Sequence, residues 1–185
     1  LVYFHYHLAF AVYPSVWSYF GKAQFGWSPA MIGGSLALFG AAMAVVQGGL
    51  IRPVLHRFAE RGTVLIGFVC SITTFGLIAT VTWGSAILIL TPLAALAGVI
   101  PPALQALMSA RVTPERQGAL QGLLTSASAL AMVVAPLVMT SVFAAFTSAS
   151  TPVYFAGAPF VLSMILSVVA LVVFRRVRIN PAHVD

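Results

Sequence analysis

The sequence predicts an all-α membrane protein, a bundle of six transmembrane helices, and three observations predict it. Apolar residues fill 61% of the 185 positions and charged residues only 6%, against about 25% charged in an ordinary soluble domain. So few charges cannot cover a water-facing surface. Second, no Asp, Glu, Lys or Arg occurs from Gly62 to Ala110 or from Gln117 to Phe174. A spanning helix takes about 20 apolar residues, so each gap holds two helices joined by a tight turn. Third, the basic residues gather at one set of helix ends. Arg52, Arg57 and Arg61 follow the second span, Arg111 and Arg116 the fourth, and Arg175, Arg176 and Arg178 the sixth; only Lys22 falls on the other side. That is the positive-inside pattern, which makes the arginine face cytoplasmic and puts both ends of the chain there. The net charge of +6 and pI near 10.3 follow from this topology and call for no nucleic-acid partner.

The elements are placed as follows. The first helix, 1–21, begins in apolar sequence with Leu1, as expected of a piece whose first span starts upstream. Helices at 29–51, 114–146 and 152–174 each open on one device: Ser28-Pro29, Thr113-Pro114 and Thr151-Pro152 pair a hydroxyl cap with proline at the first helical position. The uncharged run between Arg61 and Arg111 divides into helices at 62–82 and 86–111, and a basic tail covers 175–185. Pro14, Pro92, Pro101, Pro102, Pro136 and Pro159 fall inside these helices. Each removes a backbone hydrogen bond, which a membrane bundle tolerates where a neighbour or a water-filled cavity satisfies the freed carbonyl. Gly33, Gly34 and Gly40, Ala94 with Gly98, and Gly118 with Gly122 are expected to form helix-packing seams. Cys70, the single cysteine, is a small buried hydrophobe here.

Polar residues inside hydrocarbon need partners, so they mark where the bundle or a cavity must lie. Gln105 shares a helical face with Pro101 and Ser109 and follows the Pro101-Pro102 break. Gln117, Gln121, Thr125 and Ser128 form a stripe on the fifth helix, Gln47 closes the second, and Ser71 shares a face with Thr74 on the third. Interhelical hydrogen bonds account for such residues in general, and a cavity-lining role suits Gln105 best. Trp17 and Tyr19 offer aromatic surface to a planar solute, although an interfacial aromatic belt explains them as well. His5 and His7 lie within the first span, where a titratable side chain is a proton-relay candidate by default. The acids Glu60, Glu115 and Asp185 all sit at the membrane surface, so no carboxylate in this chain can carry protons through the bilayer.

One stretch is more specific. Pro101-Pro102-Ala103-Leu104-Gln105-Ala106-Leu107-Met108-Ser109, then Pro114-Glu115-Arg116-Gln117-Gly118-Ala119-Leu120-Gln121-Gly122, resembles the cytoplasmic junction between two helices in the tetracycline-efflux branch of the major facilitator superfamily. Phe25-Gly26-Trp27-Ser28-Pro29, with Ile32-Gly33 and Ser35-Leu36-Ala37, is similar to the opening of that family's eighth helix. The resemblance maps nearly the whole chain onto family helices seven to twelve. It implies a C-terminal bundle of two inverted three-helix repeats in a bacterial inner membrane. Such a half would belong to a secondary exporter of a drug, tetracycline with a divalent cation being the family case, driven by protons and completed by an N-terminal six-helix half. It implies a solute cavity reached by Pro14, Trp17, Gln47, Pro101, Pro102, Gln105, Gln121 and Thr125. Arg52, Arg57, Glu60 and Arg61 resemble the superfamily's basic loop, expected to pair with Arg111, Glu115 and Arg116 across the cytoplasmic side. Arg52 and Ala59 both stand where glycine is usual, and Ser71 stands where the family carries an acid midway along its ninth helix; this second departure leaves an exporter of a different small molecule equally open.

The chain is not expected to be an enzyme and needs no cofactor. An intramembrane serine protease requires a Gly-x-Ser nucleophile and a histidine on a nearby helix. Gly33-Gly34-Ser35 is the nearest match, and no histidine occurs from Arg57 to Ala182. A zinc enzyme lacks its His-Glu-x-x-His run or cysteine pair. A self-contained six-helix protein or an inactive remnant is the non-transporting alternative.

Overall fold

The computed structural model describes residues 1–177; the tail residues Arg178 and Asp185 lie outside the described residues. The first helical rod joins α1 (Val2–Phe10) to α2 (Val12–Phe25). Pro14 has no N–H for the Phe10 carbonyl, so one rung of the ladder is missing. Ala11 carries the chain across at φ −66° and ψ −4°, and its carbonyl accepts both the Ser15 N–H at 3.1 Å and the Ser15 hydroxyl at 2.6 Å. The rod runs to Phe25, past the expected end at 21, and stops at Gly26, whose φ of 65° is the left-handed cap that glycine enters without strain. Ser28 then caps α3 (Pro29–Val45), accepting the Met31 N–H at 3.3 Å with Pro29 in the first turn.

Helix continues from α3 through a π-helical turn at Val46–Leu50 into α4 (Ile51–Thr80), 52 residues in all. A straight helix of that length would measure about 78 Å, against a hydrocarbon core of about 30 Å. Ala59 breaks it, at φ 52° and ψ 177°, into rods over 29–58 and 60–80. That conformation is open essentially to glycine alone. Ala59→Gly is therefore expected to raise stability by about 1–2 kcal/mol, read as a higher unfolding midpoint of the detergent-solubilised chain; a lower midpoint would contradict the strain.

The fourth rod comprises α5 (Gly84–Leu96), a 3₁₀ turn at Ala97–Val99 and α6 (Ile100–Ser109). Pro101 and Pro102 stand in the first turn of α6, so they open a new helical segment instead of kinking an old one. A 3₁₀ turn at Pro114–Arg116 leads into α7 (Gln117–Thr147), and the sixth rod is α8 (Ala158–Arg176). The start expected at 152 is corrected to Ala158. A helix from 152 would have forced Pro159 against the Phe155 carbonyl, whereas in the first turn of α8 its missing N–H costs nothing. Thr151 caps no helix; its hydroxyl donates to the Val153 carbonyl at 3.2 Å. Among the described residues four runs are long and apolar enough to cross a membrane by themselves: Pro29–Thr80, Gly84–Ser109, Pro114–Thr147 and Ala158–Arg176.

α8 packs along α4 and α1, α7 lies against α1 and α2, and α5 lies against α3 and α4. With α4 and α8 as the central pair and α3 and α7 as the outer rods, the two broken rods, α1–α2 and α5–α6, hold equivalent places, the first beside α8 and α7 and the second beside α4 and α3. An aromatic core of Tyr13, Trp17, Phe20, Phe75 and Phe160 fills one end, and Tyr6, Phe68, Ile100, Leu104 and Phe174 fill the other. At the first end Gln24 donates to the Val81 carbonyl at 3.1 Å, joining the last turn of α2 to the loop after α4. At the second, the Arg61 guanidinium sits 5.9 Å from the Phe174 ring.

The seams expected at Gly33, Gly34, Gly40, Gly118 and Gly122 face open space, with nothing within 4 Å of an added Cβ. They lie on faces of α3 and α7 that no other helix covers among the described residues. Gly98 does form a seam, since the Met43 Cε stands 2.7 Å from where its Cβ would be. The closest approaches fall elsewhere: Gly67 beneath Ile100, Gly84 beneath Trp27 and Gly157 against the Ala79 backbone.

Candidate translocation surface

An amide that lies in hydrocarbon must find a partner, and Gln105 finds one sixteen residues on. Its Nε2 donates to the Gln121 Oε1 at 2.8 Å, tying α6 to α7. Gln105 is half-buried and Gln121 exposed. Pro101 and Pro102, half-buried, precede Gln105 by one turn of α6. Thr125 is exposed one turn beyond Gln121, and its carbonyl accepts the Ser128 hydroxyl at 2.9 Å. On α2, which packs against α7, Pro14, Ser18 and Lys22 are exposed at a spacing of four, one stripe down the helix. Gln47 stands apart, exposed in the π-helical turn of the other outer rod, with its Nε2 3.6 Å from the position of a Gly98 Cβ.

Trp17 is corrected. It is not part of an interfacial belt: it is 7% exposed, its indole N–H donates to the Ser35 Oγ at 2.9 Å, and with Tyr13, Ser35 and Phe39 it lines only a small internal cavity of about 10 Å³. Tyr13, Phe20, Trp27 and Phe160 surround it with ring centroids 5.5 to 6.3 Å away. Tyr19, 61% exposed, does reach the surface, beside Phe143.

The histidines occupy the first rod without joining the amide bridge. His5 Nδ1 lies 3.0 Å from the Leu1 carbonyl. His7 is half-buried, tilted over Tyr3 at 4.5 Å and edge-on to Tyr6 at 5.2 Å, and its buried Nε2 has no hydrogen-bond partner. Among the described residues no hydrogen bond connects either imidazole to Gln105 or Gln121.

The cytoplasmic-loop pairing is also corrected. Arg52, Arg57 and Glu60 are exposed and Arg61 turns its cation to the Phe174 ring; Glu115 and Arg116, also exposed, form no ion pair with them among the described residues. The Thr113 hydroxyl and its own backbone N–H hold the Glu115 carboxyl below the usual range instead. Arg111, exposed, ends the same loop, which Gln117 closes by donating to the Ser109 carbonyl at 2.9 Å and the Val112 carbonyl at 3.3 Å.

Ser71 is buried in the α4–α8 seam, its Oγ 3.3 Å from the Ser167 Oγ. Thr74, one turn on, is 1% exposed with an unpartnered hydroxyl. Ser163 and Ser167, four apart on α8, complete this polar line; their spacing is the signal that would have found them, and sequence reasoning passed over it. Ser35 belongs to two sequence motifs, Gly33-Gly34-Ser35 and Ser35-Leu36-Ala37, and neither marks it as the partner of Trp17.

The family profile described as Major Facilitator Superfamily matches residues 1–184. The class G tetracycline resistance protein of Vibrio anguillarum is 36% identical over 175 residues, which cover 95% of this chain and 43% of that protein. The class C tetracycline resistance protein of Escherichia coli is 35% identical over the same shares, and the class B protein of Escherichia coli is 32% identical over 77% of the chain and 36% of its own length. No solved structure matches. The chain therefore spans well under half the length of these relatives. An all-helical bundle with long apolar helices, a polar bridge at a broken helix, and a family match over nearly every residue lead to one assignment: the chain is a multi-pass membrane protein that belongs to the Major Facilitator Superfamily.

Proposed function

We propose that the chain is the C-terminal half of a secondary active drug-efflux transporter of the tetracycline type, in the bacterial inner membrane. The observation that carries this reading is the Gln105–Gln121 bridge on an uncovered face beside two helices broken at matching places. Interrupted helices in corresponding positions of two repeats mark the solute site of a secondary transporter. The repeats would be the inverted triplets 1–80 and 84–176, crossing the bilayer six times with both ends cytoplasmic. Solute would pass along Pro14, Ser18, Gln105, Gln121 and Thr125, with Gln47 on the far side.

The uncovered faces of α3 and α7 fit the missing half. On α7, Gly118, Gly122, Thr125, Ala129 and Pro136 fall on one side and Leu123, Leu130 and Leu137 on another, all of them exposed. Small residues suit a close-packed helix and leucines suit lipid. The first half would cover the small-residue sides and supply the acids for proton coupling, with His5 and His7 as proton-relay candidates on this side.

The test is drug uptake by everted vesicles containing this chain and the N-terminal remainder of the class G relative. With tetracycline and magnesium, Gln105→Leu is expected to lower the initial rate about tenfold at equal membrane levels, the loss of roughly one charge-free hydrogen bond. An unchanged rate would sink the site. Ser71 favours a second reading: it is buried against Ser167 at the position where the resemblance implies an acid, which suits a differently tuned exporter. Vesicles that transport another drug but not tetracycline would select that reading.

A further inference from the structure

We propose that the segment 50–58 is an interfacial arm that binds an anionic membrane surface, with Leu50, Val54 and Phe58 in the acyl region and Arg52 and Arg57 on lipid phosphates. The helix over 29–58 measures about 45 Å at 1.5 Å per residue, against a hydrocarbon core of about 30 Å. Its last turns therefore stand at or beyond the headgroups. Two breaks bracket them. Gly48 and Gly49 sit in the π-helical turn with open space where their Cβ atoms would be, and Pro53 has no N–H for the Gly49 carbonyl. At the other end stands Ala59, with its φ of 52°. A bend at the glycines can lay the arm along the membrane without disturbing the bundle.

The pattern between the breaks is that of a surface helix. Leu50, Val54 and Phe58 recur at a spacing of four with Ile51 and Leu55 on the adjoining strip, while Arg52, Pro53, His56 and Arg57 cover the opposite side. Leu55 packs onto the core cluster that holds Phe68 and Leu104. Leu50 and Phe58 stay 40% and 50% exposed, an apolar strip beside the strip that carries Arg57. Arg52, His56 and Arg57 are exposed, and among the described residues neither arginine pairs with a carboxylate. The segment contains no acid of its own. Arg61 takes no part, since its guanidinium sits on the Phe174 ring. Uncompensated arginines at a membrane surface attract anionic headgroups, and their long stems keep apolar contact while the charge reaches outward. Charge and exposed apolar surface thus call for the same occupant.

Spin-label accessibility of the full chain in nanodiscs tests this, with phosphatidylglycerol and phosphatidylcholine of identical acyl chains as probes. In a Cys70→Ala background, Phe58→Cys carries an apolar nitroxide in place of the ring, and His56→Cys places the same label on the polar side. In phosphatidylglycerol the label at 58 is expected to meet oxygen more and a water-soluble nickel complex less than in phosphatidylcholine. The label at 56 should stay open to nickel in both. Arg52→Gln with Arg57→Gln should lower the ratio of inserted to free arm about fivefold per arginine. A label at 58 that nickel reaches equally in both lipids, shielding that survives loss of both arginines, or equal shielding at 56 and 58 would overturn the proposal. Nanodiscs present the same lipid on both faces, so the outcome depends on neither the orientation nor the drug transport proposed above.

Discussion

Trp17→Ala is expected to destabilise the bundle by about 3–5 kcal/mol, the range for deleting a buried aromatic side chain. Trp17 touches three parts of the fold at once. Its indole packs between Tyr13 and Phe20 of its own helix and Phe160 of α8, and its N–H satisfies Ser35 on α3. Alanine would leave both a cavity and a buried hydroxyl short of a donor, and the two penalties act together. Trp17→Phe should cost less, since it keeps most of the packing and loses the hydrogen bond. Thermal unfolding in detergent measures both. A Trp17→Ala chain of unchanged stability that nevertheless failed to support drug uptake would return Trp17 to the transport surface.

Gly157→Ala is expected to cost about 3 kcal/mol or more, the upper end for overpacking. The added methyl would overlap the Ala79 carbonyl oxygen, with the Ala79 carbonyl carbon 2.8 Å away and its Cα 2.9 Å away. All three are backbone atoms, and neither side can move aside easily. Ala79 is 3% exposed in the last turn of α4, and the Gly157 carbonyl already anchors α8 through the Phe160 N–H at 3.0 Å and the Val161 N–H at 3.2 Å. Gly118→Ala is the control. Its Cβ meets nothing within 4 Å, so alanine should change the stability of this chain by at most about 1 kcal/mol, in the favourable direction. Equal losses at the two positions would show that the close approach of α4 and α8 is not what Gly157 provides.

What the sequence made legible was local. The charge-free runs and clustered arginines mark the helices because desolvating a charge is costly wherever the helix ends up packing. Ser28-Pro29 was readable because a cap needs only its own next three residues. Thr151-Pro152 carries the same hydroxyl–proline pairing and fails, because Pro159 lies about two turns beyond and limits where α8 can begin. Ala59 was noticed as a departure from glycine, but its backbone angle, which gives the departure its cost, is set by how two long helices meet. The need of Gln105 for a partner was legible and the identity of Gln121 was not, because that pair forms across two helices. Trp17 was misplaced for the same reason: an aromatic near a span end reads alike whether it faces headgroups or Ser35. The small residues of α3 and α7 were read as seams within the bundle, and they are small on faces this chain leaves bare.

All of these placements depend on which ends of the rods share a membrane surface, and impermeant thiol labelling measures that directly. In a Cys70→Ala background, single substitutions at exposed positions near the rod ends report the side on which each end lies. Ser28→Cys, Thr82→Cys and Ser150→Cys should react with a membrane-impermeant maleimide on intact spheroplasts. His56→Cys, Thr113→Cys and Val177→Cys should react only after permeabilisation. Labelling of Thr113→Cys or Val177→Cys from outside, or protection of Thr82→Cys, would contradict six crossings with both ends in the cytoplasm.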